Sequence, residues 1–189
     1  QGFPGVMVEE DSIYIDRSQD LDKPLEQLYT AYLENDVGRY PMSPEYAAGL
    51  YAFLDLKDLS PQAVKGQITG PITWGLTVTD DTKRALLYDE VLGDAVPRFL
   101  RLKAAWQETR LREVCADTII FVDEPYMAAF GSVGMLVPKE RIINLLEEVF
   151  LGISGLKGVH CCGNTDWSIL LDTSVDTVSY THLTLPTKA

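Results

Sequence analysis

Asp117–Pro125, DTIIFVDEP, carries the β-branched and aromatic run Thr118 to Val122 and then stops at two acids and a proline. The run is too short for a helix and has the residue types that fill a buried strand; Pro125 cannot donate to a sheet ladder and closes it. Its flanks decide the fold class. Before it lies a long helical tract from about Asp81 to Val114, in which Pro97 must kink or restart the helix because proline removes an internal hydrogen bond. After it, PKERIINLLEEVFLGI is a helix opened by Pro138, with Ile142, Ile143, Leu146, Val149 and Phe150 as its apolar stripe. The same alternation extends outward. AVKGQITGPITW, from Ala63, is an earlier strand and its exit loop; KGVHCCGN, from Lys157, is a later strand; TDWSILLDTS is a short helix, and VDTV begins one more strand. Strands alternating with amphipathic helices make parallel βα units, so the chain is α/β: a doubly wound sheet or part of a (βα)8 TIM barrel.

Upstream, VMVEEDSIYID reads as a small N-terminal hairpin turning at Glu10 to Ser12. DKPLEQLYTAYLEND is a helix with Asp22 as N-cap, Pro24 in the first turn and Leu25, Leu28, Tyr29 and Tyr32 on one face. SPEYAAGLYAFLDL repeats the pattern with Ser43 as N-cap and Pro44 at the first helical position. No repeat, low-complexity run or linker divides the chain, which gives one domain.

The chain has 189 residues, 46% of them hydrophobic, enough to build a packed core. A net charge of -12 argues against nucleic acid and anionic membrane as partners, since both are bound through clustered Lys and Arg. No apolar run reaches the ~18 residues of a membrane span and no signal peptide is recognisable, so the expected location is cytoplasmic. Cys115, Cys161 and Cys162 do not form a disulfide framework, and reduced thiols are expected.

The ends read as those of a fragment. The chain opens on Gln1, and VSYTHLTLPTKA at the other end contains no acid; most of it, Val178 to Thr187, looks like the translation of a sequencing adapter. The expectation is therefore a barrel fragment over 1–177 and a non-native tail over 178–189, in which His182 carries no functional information. The alternative is a short natural strand and tail.

Chemistry collects where strands hand over to loops: Thr69, Gly70 and Pro71; Asp123 and Glu124; and His160 to Asn164. Because side chains alternate along a strand, His160 and Cys162 share a face and Cys161 turns toward the covering helices. An imidazole and a thiolate on one face match two of the four positions of a tetrahedral zinc site. On spacing alone this competes with a His160 that bonds a neighbour and cysteines that pack as small hydrophobes. Asp123 either faces the strand-end mouth, to bind an ammonium or move a proton, or braces a loop or helix. Thr69 to Pro71 is a substrate contact or a plain turn. Trp74 and Trp167 are expected in core packing rather than in a pocket.

Taken in order, the TGP, DEP and HCCG strand ends resemble those of the superfamily containing cobalamin-independent methionine synthase and uroporphyrinogen decarboxylase, over about Lys65 to Thr177. That resemblance implies a (βα)8 barrel with zinc at its mouth. His160 and Cys162 would be the first two metal ligands, Asp123 would contact the amino group of an amino-acid thiol, and Thr69 to Pro71 would border the pocket. It implies a zinc-dependent methyltransferase, with a small-molecule thiol and a methyl donor as partners and methionine biosynthesis as the setting. The resemblance also implies further ligands from later strands, and no cysteine follows Cys162, so the zinc site is incomplete in this chain. Open barrel edges would permit self-association. A cofactor-free decarboxylase of the same superfamily is the rival. Arg84, Lys103 and Arg110 form no arginine cluster near the strand ends, which weakens it, because a tetracarboxylate porphyrinogen calls for guanidinium clamps. A non-catalytic small-molecule-binding barrel is a third alternative.

Overall fold

In the computed structural model, which describes residues 2–9, 12–130 and 135–180, the chain begins with the expected hairpin. Strand β1 (Val6–Val8) pairs antiparallel with β2 (Ile13–Ile15) in the register Val6 to Ile15. Helix α1 (Asp22–Leu33) follows, with Leu21 rather than Asp22 at the cap position, so Asp22 serves as a first-turn acid favoured by the helix dipole. Ser43 and Pro44 open a turn instead of a helix: the Tyr46 and Ala47 N–H groups donate to the Ser43 carbonyl, and α2 (Ala48–Leu54) starts beyond it.

Strand β3 (Val64–Thr69) then leads directly into α3 (Pro71–Thr77), with Pro71 at the first helical position, where its missing N–H costs nothing. Sequence reading had treated this helix as an exit loop. The short β4 (Thr79–Asp80) pairs parallel with β2, an unexpected third strand that ties the hairpin to the main body. Arg17 reinforces the tie from the hairpin side, reaching the Asp80 carboxylate at 3.0 Å. Helix α4 (Glu90–Leu111) begins later than expected because Asp80 and Asp89 stop the chain twice. Asp80 accepts from the Thr82 and Arg84 N–H groups, and Asp89 caps α4 by accepting from those of Val91 and Leu92. Pro97 lies buried inside α4 and neither breaks nor restarts it.

The remaining elements are β5 (Thr118–Asp123), α5 (Lys139–Phe150), β6 (Leu156–Cys161), α6 (Trp167–Leu171) and β7 (Thr177–Tyr180). Strands β3, β5, β6 and β7 form a parallel sheet in that spatial order. The last strand continues through Val178, Ser179 and Tyr180, residues assigned above to the tail; His182 lies outside the described residues. Among the described residues the sheet has four parallel strands, not a closed barrel, and its order follows the chain without a reversal. A doubly wound sheet reverses at its switch point, and no such point occurs within these four strands.

Alternation divides the sheet cleanly. Val64, Ile68, Ile120, Val122, Val159 and Cys161 are buried on one face, and helices α4 and α5 complete that core with Leu102, Leu111, Ile142, Leu146 and Phe150. The other face carries Lys65, Gln67 and Thr69 from β3, Phe121 and Asp123 from β5, and His160 from β6, all partly or fully exposed. One buried acid braces the sheet's amino end: Glu108 of α4 accepts from the Ser154 N–H at 2.8 Å, the Gly155 N–H at 2.6 Å and the Thr118 hydroxyl at 2.7 Å. Nothing in the local sequence singles Glu108 out, since its partners arrive from segments 10 and 46 to 47 residues away. No helix among the described residues is long and apolar enough to cross a membrane.

Candidate functional site

Register places four residues side by side at the carboxyl ends of the parallel strands. Thr69 pairs with Asp123, Asp123 with His160, and His160 with Ser179. Laterally paired residues of a sheet point the same way, so these side chains form one row on the open face. Thr69, Asp123 and His160 were named from sequence, and the sheet brings them together. Ser179 was not, because it fell in the stretch read as a tail.

Asp123 is half-buried. Burial pushes its carboxyl above the ordinary range, while the nearby His160 ring and Lys65 ammonium pull it down. Lys65 was not singled out from sequence. It stands two positions before Gln67 on the same face, donates to the Gln67 amide oxygen at 2.6 Å and lies 4.9 Å from the centre of the Phe121 ring.

His160 is held by one nitrogen. Its Nδ1 lies 3.1 Å from the Ser179 carbonyl oxygen and 3.3 Å from the Ser179 hydroxyl. A carbonyl only accepts, so the short contact places a proton on Nδ1, and in the neutral ring the lone pair then sits on Nε2. The contact is to the main chain and does not depend on which side chain stands at 179.

The two adjacent cysteines differ in burial. Cys161 is fully buried, with its thiol 3.5 Å from the Gly163 carbonyl, and burial raises that thiol's pKa. Cys162 is exposed just past the end of β6. Of the three adjacent candidates, His160 is partly exposed and Cys162 exposed. They supply two donors, half of a tetrahedral set, and among the described residues no group of three or more His, Cys, Asp or Glu side chains is placed to hold a metal ion. By themselves these residues do not complete a zinc site.

Glu124 takes a different part. Its side chain is fully buried, and its carboxylate accepts from the Ile72 N–H at 2.9 Å and the Thr73 N–H at 2.7 Å, the first free donors of α3. Burial pushes its pKa up to about 7 against the downward pull of those donors. Gly70 and Pro71 are buried with it, and a Cβ on Gly70 would overlap the Glu124 carboxyl group. Of the strand-end residues named from sequence, Gly70, Pro71 and Glu124 are thus buried, and Thr69 and Asp123 lie on the open face of the sheet. The bracing role for an acid of the DEP motif, one of the two sequence alternatives, is the one Glu124 fills.

Trp74 packs with Phe3 at 4.8 Å between ring centres and with Phe99 at 6.4 Å, as expected for core packing, but it also lines a recess beside β3. Trp167 stacks edge-on with Tyr180 at 5.7 Å, and its buried indole N–H has no partner among the described residues.

No family model and no curated protein matches the chain. A solved structure to which it is similar is that of a B12-independent methionine synthase from Shewanella sp. W3-18-1 in complex with selenomethionine, with a TM-score of 0.46 and 20% sequence identity. The similarity covers 68% of this chain and 40% of that one.

Proposed function

We propose that β3, β5, β6 and β7 are an arc of a (βα)8 barrel, and that the row at their carboxyl ends is part of the active site of a methyltransferase acting on a small-molecule thiol. The unreversed strand order supports the barrel, because right-handed crossovers then lay successive helices on one face and leave the other for a barrel interior. The observation that carries the site is the anchoring of His160: a ring nitrogen held on a main-chain carbonyl is how a ligating histidine is commonly oriented. In this reading His160 and Cys162 contribute two donors to a zinc ion whose other ligands lie outside the described residues. Zinc, when bound, would lower the pKa of an incoming thiol.

The chain's own residues would do the rest. Asp123, beside His160 in the row, receives the ammonium group of an amino-acid thiol and so orients its sulfur toward the strand ends. Thr69 borders the same opening, while the buried Glu124 keeps α3 in place beneath it.

Binding of homocysteine, compared with a thiol of similar size that lacks the amino group, tests the assignment of Asp123. Asp123→Asn is expected to weaken homocysteine binding at least about tenfold, roughly 1.4 kcal/mol, and to leave the amine-free thiol unaffected. Equal weakening of both ligands would remove Asp123 from the ammonium site.

A second reading rests on the place of Asp123 in the strand-end row: a cofactor-free decarboxylase in which its carboxylate stabilises a protonated ring intermediate. Porphyrinogen turnover by metal-free protein would decide for it.

A further inference from the structure

Lys103 is a buried cation without a counter-ion. It projects from the middle of α4, is only 7% exposed, and among the described residues forms no ion pair. Its ammonium donates to the Pro41 carbonyl at 2.9 Å and lies 5.2 Å from the centre of the Phe99 ring. An ammonium has three N–H donors, and a neutral carbonyl uses one without cancelling the charge. Holding a charge in such a place is costly, and burial lowers the Lys103 pKa to about 8.

The surroundings explain what is missing. Lys103 lines a recess of about 310 Å³ beside β3, walled by Trp74, Phe99 and Met42 and partly covered by Tyr46. Among the described residues no acid lines it, in a chain whose net charge is -12. Two neutral polar side chains, Gln67 and Thr69, also face it. The Gln67 amide oxygen is already occupied by Lys65, so what Gln67 can offer is its NH2 group, a donor. A recess with aromatic and aliphatic walls, one cation, additional donors and no acid is complementary to an apolar anion. A single positive charge suits a monoanion; a phosphate dianion is usually met by more than one cation or by guanidinium forks.

We propose that this recess binds a small aromatic or apolar monocarboxylate, its carboxylate on Lys103 and its body against Trp74 and Phe99. Thr69 belongs both to the recess and to the strand-end row, so the ligand would lie next to the candidate active site. The proposal goes beyond the methyltransferase reading and does not depend on a metal.

Benzoate and its neutral isostere benzamide are the probes, titrated into the full chain at neutral pH by calorimetry and by NMR. Benzoate is expected to bind at least tenfold more tightly than benzamide and to shift the Trp74 indole resonance. Lys103→Met, with its fold checked by circular dichroism, is expected to erase that preference. The double variant His160→Ala, Cys162→Ser is expected to bind benzoate within twofold of wild type, which separates this site from the proposed metal ligands. Equal binding of the two probes would overturn the proposal, as would a benzoate preference that survives in Lys103→Met. Shifts confined to residues away from Trp74 would overturn it without recourse to a variant.

Discussion

Gly70→Ala is expected to destabilise the chain by roughly 3–5 kcal/mol, because it displaces a buried carboxylate from its partners. Gly70 has a φ of -78°, which any residue adopts, so the constraint is space and not backbone freedom. An added Cβ would overlap the Glu124 carboxyl group and come within 2.6 Å of its Cγ. Glu124 cannot withdraw without releasing the Ile72 and Thr73 N–H groups, and it has no exposed surface to move into. A double-mutant cycle isolates the cause. Glu124→Ala alone should cost about 3 kcal/mol, from two unpaired N–H groups and a cavity, but adding Gly70→Ala to it should cost under about 1 kcal/mol. Denaturant unfolding of the four proteins reads the coupling, and additive losses would refute the packing account.

Glu108→Ala is expected to cost a similar amount, roughly 3–5 kcal/mol, at the opposite end of the sheet. The substitution would leave the Ser154 and Gly155 N–H groups and the Thr118 hydroxyl without their shared acceptor, and would untie α4 from the start of β5 and from the turn before β6. Burial pushes the Glu108 pKa up, but the Ser154 N–H, the Thr118 hydroxyl, the Gly155 N–H and Arg112 together hold it below the ordinary value of 4.5. A carboxyl depressed in the folded state contributes stability that is fully present above its unfolded pKa and disappears as pH falls through the folded one. Wild type should therefore lose its advantage over Glu108→Gln as pH drops from about 6 through about 4.5 and below. Urea unfolding across that range measures it, and a gap that does not narrow would mean that the carboxylate charge contributes nothing.

The parts that sequence resolved share a physical cause. Strand patterning reads directly from residue order, so the burial of Cys161 and the placement of Asp123 and His160 at strand ends follow from it. The α/β class likewise follows from the residue types of DTIIFVDEP and from its helical neighbours. What escaped depends on partners distant in sequence. Helix α3 was hidden because Thr69 to Pro71 looks like a turn; the acceptor that satisfies its first N–H groups is Glu124, about fifty residues later. Glu108 and Lys65 were invisible for the same reason. Lys103 was visible as a residue, but its lack of an ion pair among the described residues is a property of the packed chain. Strand β4, two residues long, has no pattern to read.

The central proposal is that His160 and Cys162, and not Cys161, are the ligand pair at the carboxyl end of β6. Cobalt(II) titration tests it directly, since a thiolate bound to cobalt gives a charge-transfer absorption that a buried thiol cannot give. Wild type and Cys161→Ser should both develop the band, Cys162→Ser should not, and His160→Ala should require much more metal. Equal loss of the band in the two cysteine variants would contradict the assignment.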